Sequence, residues 1–393
     1  MDTKRLQQLA VAQQEYVVAM RRKFYEHPEI SGQEVQTRKW LIEELEKMGV
    51  PYELLPGTGI IAVIKGGKTG KNKVLRADID ALPLQEECDN LKQPKKSVSK
   101  IDGICHACGH DAHMAVLLGT MKVLTAIKSE VAGTVYCCFE EGEEINCGID
   151  TMIAALEKYS IDECFALHVY SGLDAGTVNI EAGSRMAGTV GIGIYIHGKS
   201  GHGSRPDQAI NPIIPAAHII TQLNSAFMNQ LNVEETVTLG IGMVKAGEAT
   251  NIIPNEAYIG GTARFFNKVE GEKALAIINR IAENTALSHG CTVSFQTRHC
   301  ISPYPVVNDS GVATRIENKL AAICGTEVLS PCERWYASEC YSAYLLKYPG
   351  ALGFLGIRNE NYGSGAAHHN GKFDIDESGL YLGVCAELAF IFE

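Results

Sequence analysis

The sequence of 393 residues contains no run of apolar residues long enough to cross a lipid bilayer. It has no excess of positive charge either, because 46 acidic residues outnumber 35 basic ones and the formal net charge is −11. A field of this sign repels nucleic acid and anionic membrane surfaces. We therefore expect no membrane and no nucleic-acid partner, and we expect a small molecule or a peptide as the substrate.

Two possible nucleotide-binding patterns are not supported by the residues around them. No third glycine follows the Gly-Ile-Gly segments at Gly191 and Gly240 to complete a dinucleotide fingerprint. The segment "GIYIHGKS" at 193–200 formally matches a phosphate-binding loop, but its residues 194–196 have the character of the strand itself. Nicotinamide enzymes and P-loop nucleotide hydrolases are therefore disfavoured.

The first 24 residues lack the apolar core of a signal peptide and instead have the pattern of a polar amphipathic helix. We expect a cytoplasmic protein, in which the thirteen cysteines are mostly reduced. Cys137, Cys138 and Cys164 lie in apolar runs, where a thiol acts as a small hydrophobic side chain.

The order of the apolar segments predicts an α/β fold with a mixed, largely parallel sheet and flanking helices. Short apolar runs at 59–66, 73–80, 133–139 and 163–169 are typical of buried strands, and helical stretches separate the last three. The composition, 46% apolar and 21% charged, is typical of a globular chain with a large core. A chain of this length has room for two domains.

A different pattern occupies the middle of the chain. From Gly188 to about Gln296, the order strand, helix, strand, strand, helix, strand is typical of a ferredoxin-like α+β unit. We predict a catalytic domain built from 1–185 and 299–393, interrupted by an inserted domain at 186–298. The segment "SPYP" at 302–305 is a plausible hinge.

Polar side chains follow three of the predicted strands. Asp78 and Asp80 end one strand, Glu143 and Glu144 follow the next, and His168 lies near the end of a third. Ligands bind outside the carboxyl ends of the strands in open α/β sheets, so we expect these residues to converge.

The segment "CHACGHDAH" at 105–113 precedes a predicted helix and places Cys108 and His110 at the same edge. Three hypotheses fit it: a closed zinc site, a redox Cys-x-x-Cys pair, and one part of a catalytic metal centre. The first needs a second Cys or His pair nearby, which is missing, and the second needs none of the surrounding histidines and glutamates. Thiolate, imidazole and carboxylate together suit zinc, manganese, cobalt or nickel.

Seven segments, in this order, resemble the M20 metallopeptidases, and in particular their amidohydrolase branch of N-acyl-amino-acid deacylases and auxin-conjugate hydrolases. They are "RADIDALP", "CHACGHDAH", "FEEGEE", "ALHVYSG", "GKSGHGSRPDQAINP", "NIIPNEAYIGGTAR" and "HHNGKFDIDE". An N-terminal "HPEISGQE" is also similar, so the likeness covers nearly the whole chain.

The resemblance implies a centre of two divalent metal ions that activates water for attack on an amide. The metal ligands that it implies are Cys108, His110, Glu144, His168 and His369. It implies that Glu143 is the general base and that Asp80 orients a metal ligand. In other branches a histidine ligand stands at the position of Asp78, and here Cys108 is expected to supply that coordination.

Two motifs depart from the family pattern. "FEEGEE" contains two glutamate pairs, and alignment without a gap on the residues around it selects Glu143 and Glu144 over Glu140 and Glu141. In "HHNGKF", the register of Lys-Phe-Asp favours His369, and His368 remains the alternative. His106 and His113 are not expected to be ligands.

The resemblance assigns two functions to the inserted domain, which forms a dimer interface and closes as a lid. His202 of the "GHG" motif is expected to stabilise the oxyanion in the active site of the neighbouring subunit. Asn251 and Arg264 match residues that bind the carbonyl or carboxylate of the substrate. Each has an ordinary alternative: a turn cap for Asn251 and a surface ion pair for Arg264.

The expected function is metal-dependent hydrolysis of the amide bond of an N-acyl amino acid or a related conjugate by a homodimer or a higher oligomer. A dipeptidase or carboxypeptidase on the same scaffold is the alternative. A metal-binding protein without activity is disfavoured because the base, the ligands and the lid histidine are all present. If Cys105 reaches Cys108, oxidation of the pair would remove a metal ligand.

Overall fold

The structure is a computed structural model that describes all 393 residues. The helices are α1 (Thr3–Val11), α2 (Gln14–Tyr25), α3 (Val35–Met48), α4 (His110–Ala126), α5 (Ile149–Leu156), α6 (Ile213–Gln230), α7 (Lys268–Ser288), α8 (Ser310–Cys324), α9 (Ser342–Leu345) and α10 (Leu380–Phe392). The strands are β1 (Tyr52–Leu54), β2 (Ile60–Lys65), β3 (Lys68–Asp78), β4 (Ala132–Glu140), β5 (Glu163–Asp174), β6 (Val178–Asn179), β7 (Gly183–Met186), β8 (Gly188–His197), β9 (Gly201–His202), β10 (Val237–Ala246), β11 (Ile252–Ile253), β12 (Glu256–Phe265), β13 (Thr292–Phe295), β14 (Val306–Asn308) and β15 (Gly350–Arg358).

The chain divides into two compact units. The first comprises Met1–Gly183, Val307–Glu333 and Ala343–Glu393, and the second comprises Ser184–Val306 and Arg334–Ser342. The segment Arg334–Ser342 therefore groups with the inserted part of the chain, although the sequence places it within the catalytic segment 299–393. The domain boundaries drawn from the sequence stay a prediction.

The first unit is built on a sheet of seven strands in the order β1-β2-β4-β3-β5-β15-β6. The four central strands pair in parallel, and the outer pairs are antiparallel. The central parts of β2, β4 and β5, at 60–62, 135–139 and 164–169, are mainly apolar and buried, as expected where helices cover both faces of a sheet. The predicted fold class, a mixed and largely parallel sheet with helices, is confirmed.

Helix α4, which begins within the segment "CHACGHDAH", lies inside this unit. Fourteen of its seventeen residues are buried, because it packs between α2, α10 and the sheet. A helix that is apolar on all sides can lie only in a core. Its first residue, His110, is therefore held rigidly at the edge where the parallel strands end.

The second unit is the predicted ferredoxin-like unit. Its sheet has the order β10-β12-β8-β13, with every neighbouring pair antiparallel. Helices α6 and α7 bury one face against a core of aliphatic side chains. Helix α6 begins at Ile213, directly after Pro212, and the Asn211 side chain accepts the hydrogen bond of Ile213 N at 3.0 Å.

None of the helices combines the length and the apolar character that crossing a membrane requires. Cys137, Cys138 and Cys164 lie within strands and are fully buried, in keeping with their expected role as small apolar side chains.

Candidate metal centre

The candidate site lies in the first unit, where β3, β4 and β5 end beside the start of α4. Gly109 precedes this helix with a φ of +95°, and a Cβ at this position would meet Val169 Cγ2 at 2.2 Å. Glycine is therefore required here, both for the backbone angle and for the close approach of the loop to β5. This approach brings the turn that contains Cys108 next to His168.

His110 presents one nitrogen to the centre of the site. It is completely buried, and its Nδ1 lies 3.0 Å from Asp80 Oδ1, to which the ring donates a proton. Its Nε2 has no hydrogen-bond partner and lies 3.6 Å from Asp78 Oδ2 and 3.8 Å from Glu144 Oε1. A buried ring nitrogen that has no hydrogen-bond partner and lies among carboxylates is the arrangement expected of a metal-binding imidazole.

His168 and Cys108 face each other on the other side of the site. His168 Nδ1 lies 2.6 Å from its neighbouring carbonyl, Val169 O, which leaves Nε2 as the acceptor nitrogen, 3.6 Å from Cys108 Sγ. The ligand atoms of Cys108, His110 and His168 all lie within 4.8 Å of one another. These three predicted ligands are therefore brought together by the fold.

The last predicted ligands meet at the same place. His369 Nε2 lies 3.4 Å from Glu144 Oε1, and both approach Cys108 Sγ within 4.8 Å. The backbone of His369 has a φ of +58°, and its N–H donates to Ala107 O at 2.9 Å. A left-handed histidine is uncommon, and this hydrogen bond holds the turn that points the ring at the site.

His368, the alternative ligand, points elsewhere. Its Nε2 accepts the N–H of Ser171 at 3.2 Å, and its ring stacks on Tyr170 at an angle of 16° between the ring planes. The adjacent histidines thus have different surroundings, and His369 is the one that lies among the other predicted ligands.

The two glutamate pairs of the "FEEGEE" segment also have different contacts. Glu143 is buried, and its carboxylate lies within 4.8 Å of both the His110 ring and the Glu144 carboxylate. Glu140 instead binds Arg76, and Glu141 accepts from Thr58 Oγ1 at 2.7 Å. The pair expected from the alignment, Glu143 and Glu144, is the pair that reaches the site.

The electrostatics suit a cation. Burial, reinforced by Glu144, raises the pKa of the Cys108 thiol well above its usual range. A thiolate therefore needs a compensating positive charge, which a divalent ion provides. Burial and the nearby His113 lower the pKa of His168 well below its usual range and keep this imidazole neutral, the form that binds metals. The residues present therefore fit a divalent metal site.

The remaining histidines of the segment are not ligand-like. His113 uses both nitrogens, since Nδ1 lies 2.6 Å from Asp78 Oδ1 and Nε2 accepts from Val169 N at 2.9 Å. His106 is buried, and burial lowers its pKa to about 4. Burial also raises the pKa of Cys105 to about 12, so its thiol is a poor nucleophile for forming a bond with Cys108.

Asp78 is the residue for which the sequence supplied no role in this branch of the family. It is completely buried, and its carboxylate lies within 4.8 Å of ligand atoms of both His110 and His113. The signal that could have identified it is the alternation of Arg76 and Asp78, which points both side chains to the same face at the end of β3.

The three predicted lid residues lie in the second unit, at two places. His202 is exposed at β9, which pairs with β11, and Gly203 N donates to Asn251 O at 2.8 Å, so His202 and Asn251 are neighbours. Arg264 lies near the far end of β12, where its Nη1 donates to Ser338 Oγ at 2.9 Å. From Glu256 to Arg264 the strand spans roughly 26 Å.

Comparison with known proteins identifies the family. Residues 74–391 match peptidase family M20/M25/M40. The chain is 35% identical to N-acetylcysteine deacetylase of Bacillus subtilis over 95% of this chain and 96% of that protein, and 33% identical to thermostable carboxypeptidase 1 of Saccharolobus solfataricus over 95% and 94%. A Bacillus subtilis crystal structure described as a dinuclear metal-binding peptidase of the M20 family superimposes with a TM-score of 0.80, 32% identity, and coverage of 97% of this chain and 98% of that chain. The chain therefore belongs to peptidase family M20/M25/M40, and it is a metal-dependent hydrolase of amide bonds.

Proposed function

We propose that this protein hydrolyses the amide bond of an N-acyl amino acid, releasing a carboxylic acid and the free amino acid. The observation that carries the proposal is the convergence of the buried, unpartnered His110 Nε2 with Cys108, Glu143 and Glu144 at the ends of the parallel strands. The similarity of the chain to N-acetylcysteine deacetylase of Bacillus subtilis supports the substrate class.

Two divalent ions would be held by the set of ligands named from the sequence, Cys108, His110, Glu144, His168 and His369. Zinc, manganese, cobalt and nickel all suit this mixture of thiolate, imidazole and carboxylate. When bound, the ions polarise the amide carbonyl and make water acidic enough to supply a nucleophile at neutral pH.

The protein side chains would divide the remaining work. Glu143 takes a proton from the attacking water and passes it to the nitrogen that leaves. Asp80 keeps His110 in the tautomer that leaves Nε2 available, since Nδ1 donates to its carboxylate. Its second oxygen accepts from Ser31 Oγ at 2.6 Å and from Glu144 N at 3.1 Å, so one carboxylate orients two of the proposed ligands.

The lid residues would act on the substrate, and they require two chains. His202 with Asn251 and Arg264 lie at opposite ends of one lid sheet, roughly 26 Å apart along β12. A single small substrate cannot touch both ends of one lid. We therefore assign Arg264 and His202 of any one chain to different active sites, with His202 stabilising the oxyanion in the neighbouring subunit.

The second unit offers a surface for this dimer. Strand β10 is an edge of the sheet and is largely exposed, with Met243 and Val244 at 43% and 53% exposure. Helix α6 exposes Ile213 and Ile214 beside it. An open edge with apolar side chains is the kind of surface that a second copy of the chain covers. A cytoplasmic location is part of the proposal and is supported by the thirteen free thiols.

A carboxypeptidase or dipeptidase activity is the second candidate, because one similar protein is named as a carboxypeptidase. Both reactions release an amino acid from an amide, and they differ in whether the acyl group is a simple carboxylic acyl group or an amino acid or peptide. A hydrolysis panel distinguishes the two activities. It contains N-acetyl, longer N-acyl and aromatic N-acyl amino acids together with dipeptides, and each substrate is assayed with zinc, manganese, cobalt and nickel. Turnover of dipeptides alone would overturn the deacylase proposal.

Replacement of the base tests the mechanism. Glu143→Ala should lower kcat at least about 100-fold because no other group takes the proton from water. Its metal content, measured on the purified protein, should stay close to that of the wild type because Glu143 is not a proposed ligand. Glu141→Ala is the matched control, since this neighbour binds Thr58 instead. Full activity of Glu143→Ala would contradict the mechanism.

A further inference from the structure

Asp78 has a hydrogen-bond donor on each of its carboxylate oxygens. His113 Nδ1 lies 2.6 Å from Oδ1, and Arg76 Nη1 donates to Oδ2 at 2.7 Å. All three side chains are buried, at 4% exposure or less. Both donors bind the charged form of the carboxylate, and together they hold it in one orientation.

The position of Asp78 is nevertheless that of a potential metal ligand. Its Oδ2 lies 3.6 Å from His110 Nε2, the buried nitrogen without a hydrogen-bond partner. Two atoms that each lie about 2.1 Å from one ion at a tetrahedral angle are about 3.4 Å apart. Only a small movement of Oδ2 toward the centre would bring a second carboxylate into contact with an ion bound to His110.

Arg76 opposes that movement because its own guanidinium is held by a second buried carboxylate. Its Nη2 donates to Glu140 Oε1 at 2.6 Å, and the other oxygen of Glu140 accepts from Tyr344 OH at 2.8 Å. The guanidinium thus bridges the ends of β3 and β4, in a planar two-sided geometry that lysine cannot reproduce. Arg76, Glu140 and Tyr344 thus form a buried hydrogen-bonded set that ties the Asp78 carboxylate to the ends of β3 and β4.

We propose that Arg76 sets the ligands of the metal centre by keeping the Asp78 carboxylate out of it. This proposal rests on the ligand set of the proposed function. Arg76 is a positioning residue, since it acts through Asp78 and touches neither substrate nor metal. Without it, Oδ2 becomes available and the centre gains a hard oxygen ligand and one more negative charge.

The consequence is a change in the number and type of ligands. A site of one thiolate, three imidazoles and one carboxylate suits borderline ions, whereas an additional carboxylate favours harder ions such as Mn²⁺. Loss of Arg76 should therefore shift the preference of the protein from Zn²⁺ toward Mn²⁺. The cause would be a new contact between the Asp78 carboxylate and the ion, and the existing ligands would stay in place.

Cobalt titration of the metal-free protein tests this. The intensity of the Co²⁺ d–d absorption falls as its coordination number rises, and the thiolate charge-transfer band reports Cys108 separately. Arg76→Met should lower the d–d intensity about twofold or more, with the thiolate band retained, and should raise affinity for Mn²⁺ relative to Zn²⁺ about tenfold. Arg76→Met/Asp78→Asn should restore the wild-type d–d intensity, because the released carboxylate is gone.

Two further variants keep the test decisive. Glu140→Gln removes a charge from the other side of Arg76 without releasing Asp78, so it should keep the wild-type spectrum. If Arg76→Met does not fold, the double variant Arg76→Met/Glu140→Gln is used in its place, because it removes one charge of each sign. Asp78→Asn alone should bind two Co²⁺ ions with the wild-type spectrum. Loss of an ion in Asp78→Asn would show that Asp78 is already a ligand and would overturn the proposal.

The two proposals fail in different ways. If the wild-type protein binds two Co²⁺ ions and hydrolyses N-acyl amino acids but Arg76→Met has the wild-type spectrum, only the role of Arg76 is refuted. If the wild-type protein binds no Co²⁺ and cleaves none of these substrates, the proposed function itself is refuted.

Discussion

Individual residues in this chain have surroundings that override their ordinary chemistry. Glu387 lies on α10 in the core at 1% exposure, its Oε2 has no hydrogen-bond partner, and burial raises its pKa to about 8. The folded protein therefore holds a neutral carboxyl, while the unfolded chain ionises it near pH 4.5. The stability from this group is complete below about pH 4.5 and declines as the pH rises through about 8.

Glu387→Gln should remove this dependence. Between pH 6.5 and 9, the wild-type free energy of unfolding should fall by a few kcal/mol relative to that of the variant, since one pKa unit corresponds to about 1.4 kcal/mol. Urea unfolding of both metal-free proteins across this range measures it. The exposed Glu360→Gln is the control and should follow the wild type. Parallel curves for wild type and Glu387→Gln would refute the buried neutral carboxyl.

The adjacent histidines give a second test at the residue scale. His369→Ala should lower metal affinity more than about 100-fold, because loss of a direct ligand exceeds the effect of outer contacts. His368→Ala should retain its metal, since its Nε2 accepts from Ser171 N at 3.2 Å. Metal content after dialysis against a weak chelator distinguishes them. The reverse order of metal loss would assign the ligand to His368.

At the scale of elements, the start of α4 is tied to α2 by a buried ion pair. Arg21 Nε donates to Asp111 Oδ2 at 2.7 Å, and Arg21 Nη1 lies 3.3 Å from Glu377 Oε1. Arg21 and Asp111 are essentially inaccessible to solvent. This contact fixes Asp111, the residue that follows His110, so α2 holds the start of α4 in place.

Arg21→Met should destabilise the protein by about 3 to 5 kcal/mol, because it leaves the buried Asp111 carboxylate without its charged partner. Arg22→Met is the matched control. Arg22 contacts the same Glu377 at 2.5 Å, but its side chain is 39% exposed, so its loss should cost about 1 kcal/mol or less. Urea unfolding of the metal-free proteins gives both values. Equal effects of the two substitutions would contradict a special role for the buried pair.

At the scale of the whole molecule, the proposed sharing of active sites between two chains rests on the distance along β12 between the two groups of lid residues. Glu143→Ala and His202→Ala chains should each be inactive, and a 1:1 mixture should recover about one quarter of the wild-type activity. Half of the dimers are then mixed, and each has one intact site of two.

Recovery should follow subunit exchange, which can be monitored with differently labelled chains. A mixture that exchanges subunits but stays inactive would show that His202 serves its own chain. The same experiment tests the dimer, because a monomer shows no recovery at any protein concentration.

Much of the fold could be predicted from the sequence because its causes are local. Short continuous apolar runs identified the strands at 59–66 and 133–139, and the order of strand and helix patterns identified the ferredoxin-like second unit. The start of α6 was less predictable, since Pro212 and the turn in which the Asn211 side chain accepts from Ile213 N compete with apolar periodicity. The grouping of Arg334–Ser342 with the second unit depends on distant contacts that no periodicity encodes.

By itself, the sequence determined the chemistry available, because Cys108, His110, Glu143, Glu144, His168 and His369 are the residue types that hold and use a divalent metal. Only the tertiary structure decided how that chemistry is arranged. It placed His369 among the other predicted ligands and turned His368 to a backbone amide, and it directed Glu140 to Arg76 while Glu143 reached His110. The physical reason is that each choice depends on buried hydrogen bonds between residues remote in the chain, such as that from Arg76 to Asp78, whose geometry exists only once the sheet has formed.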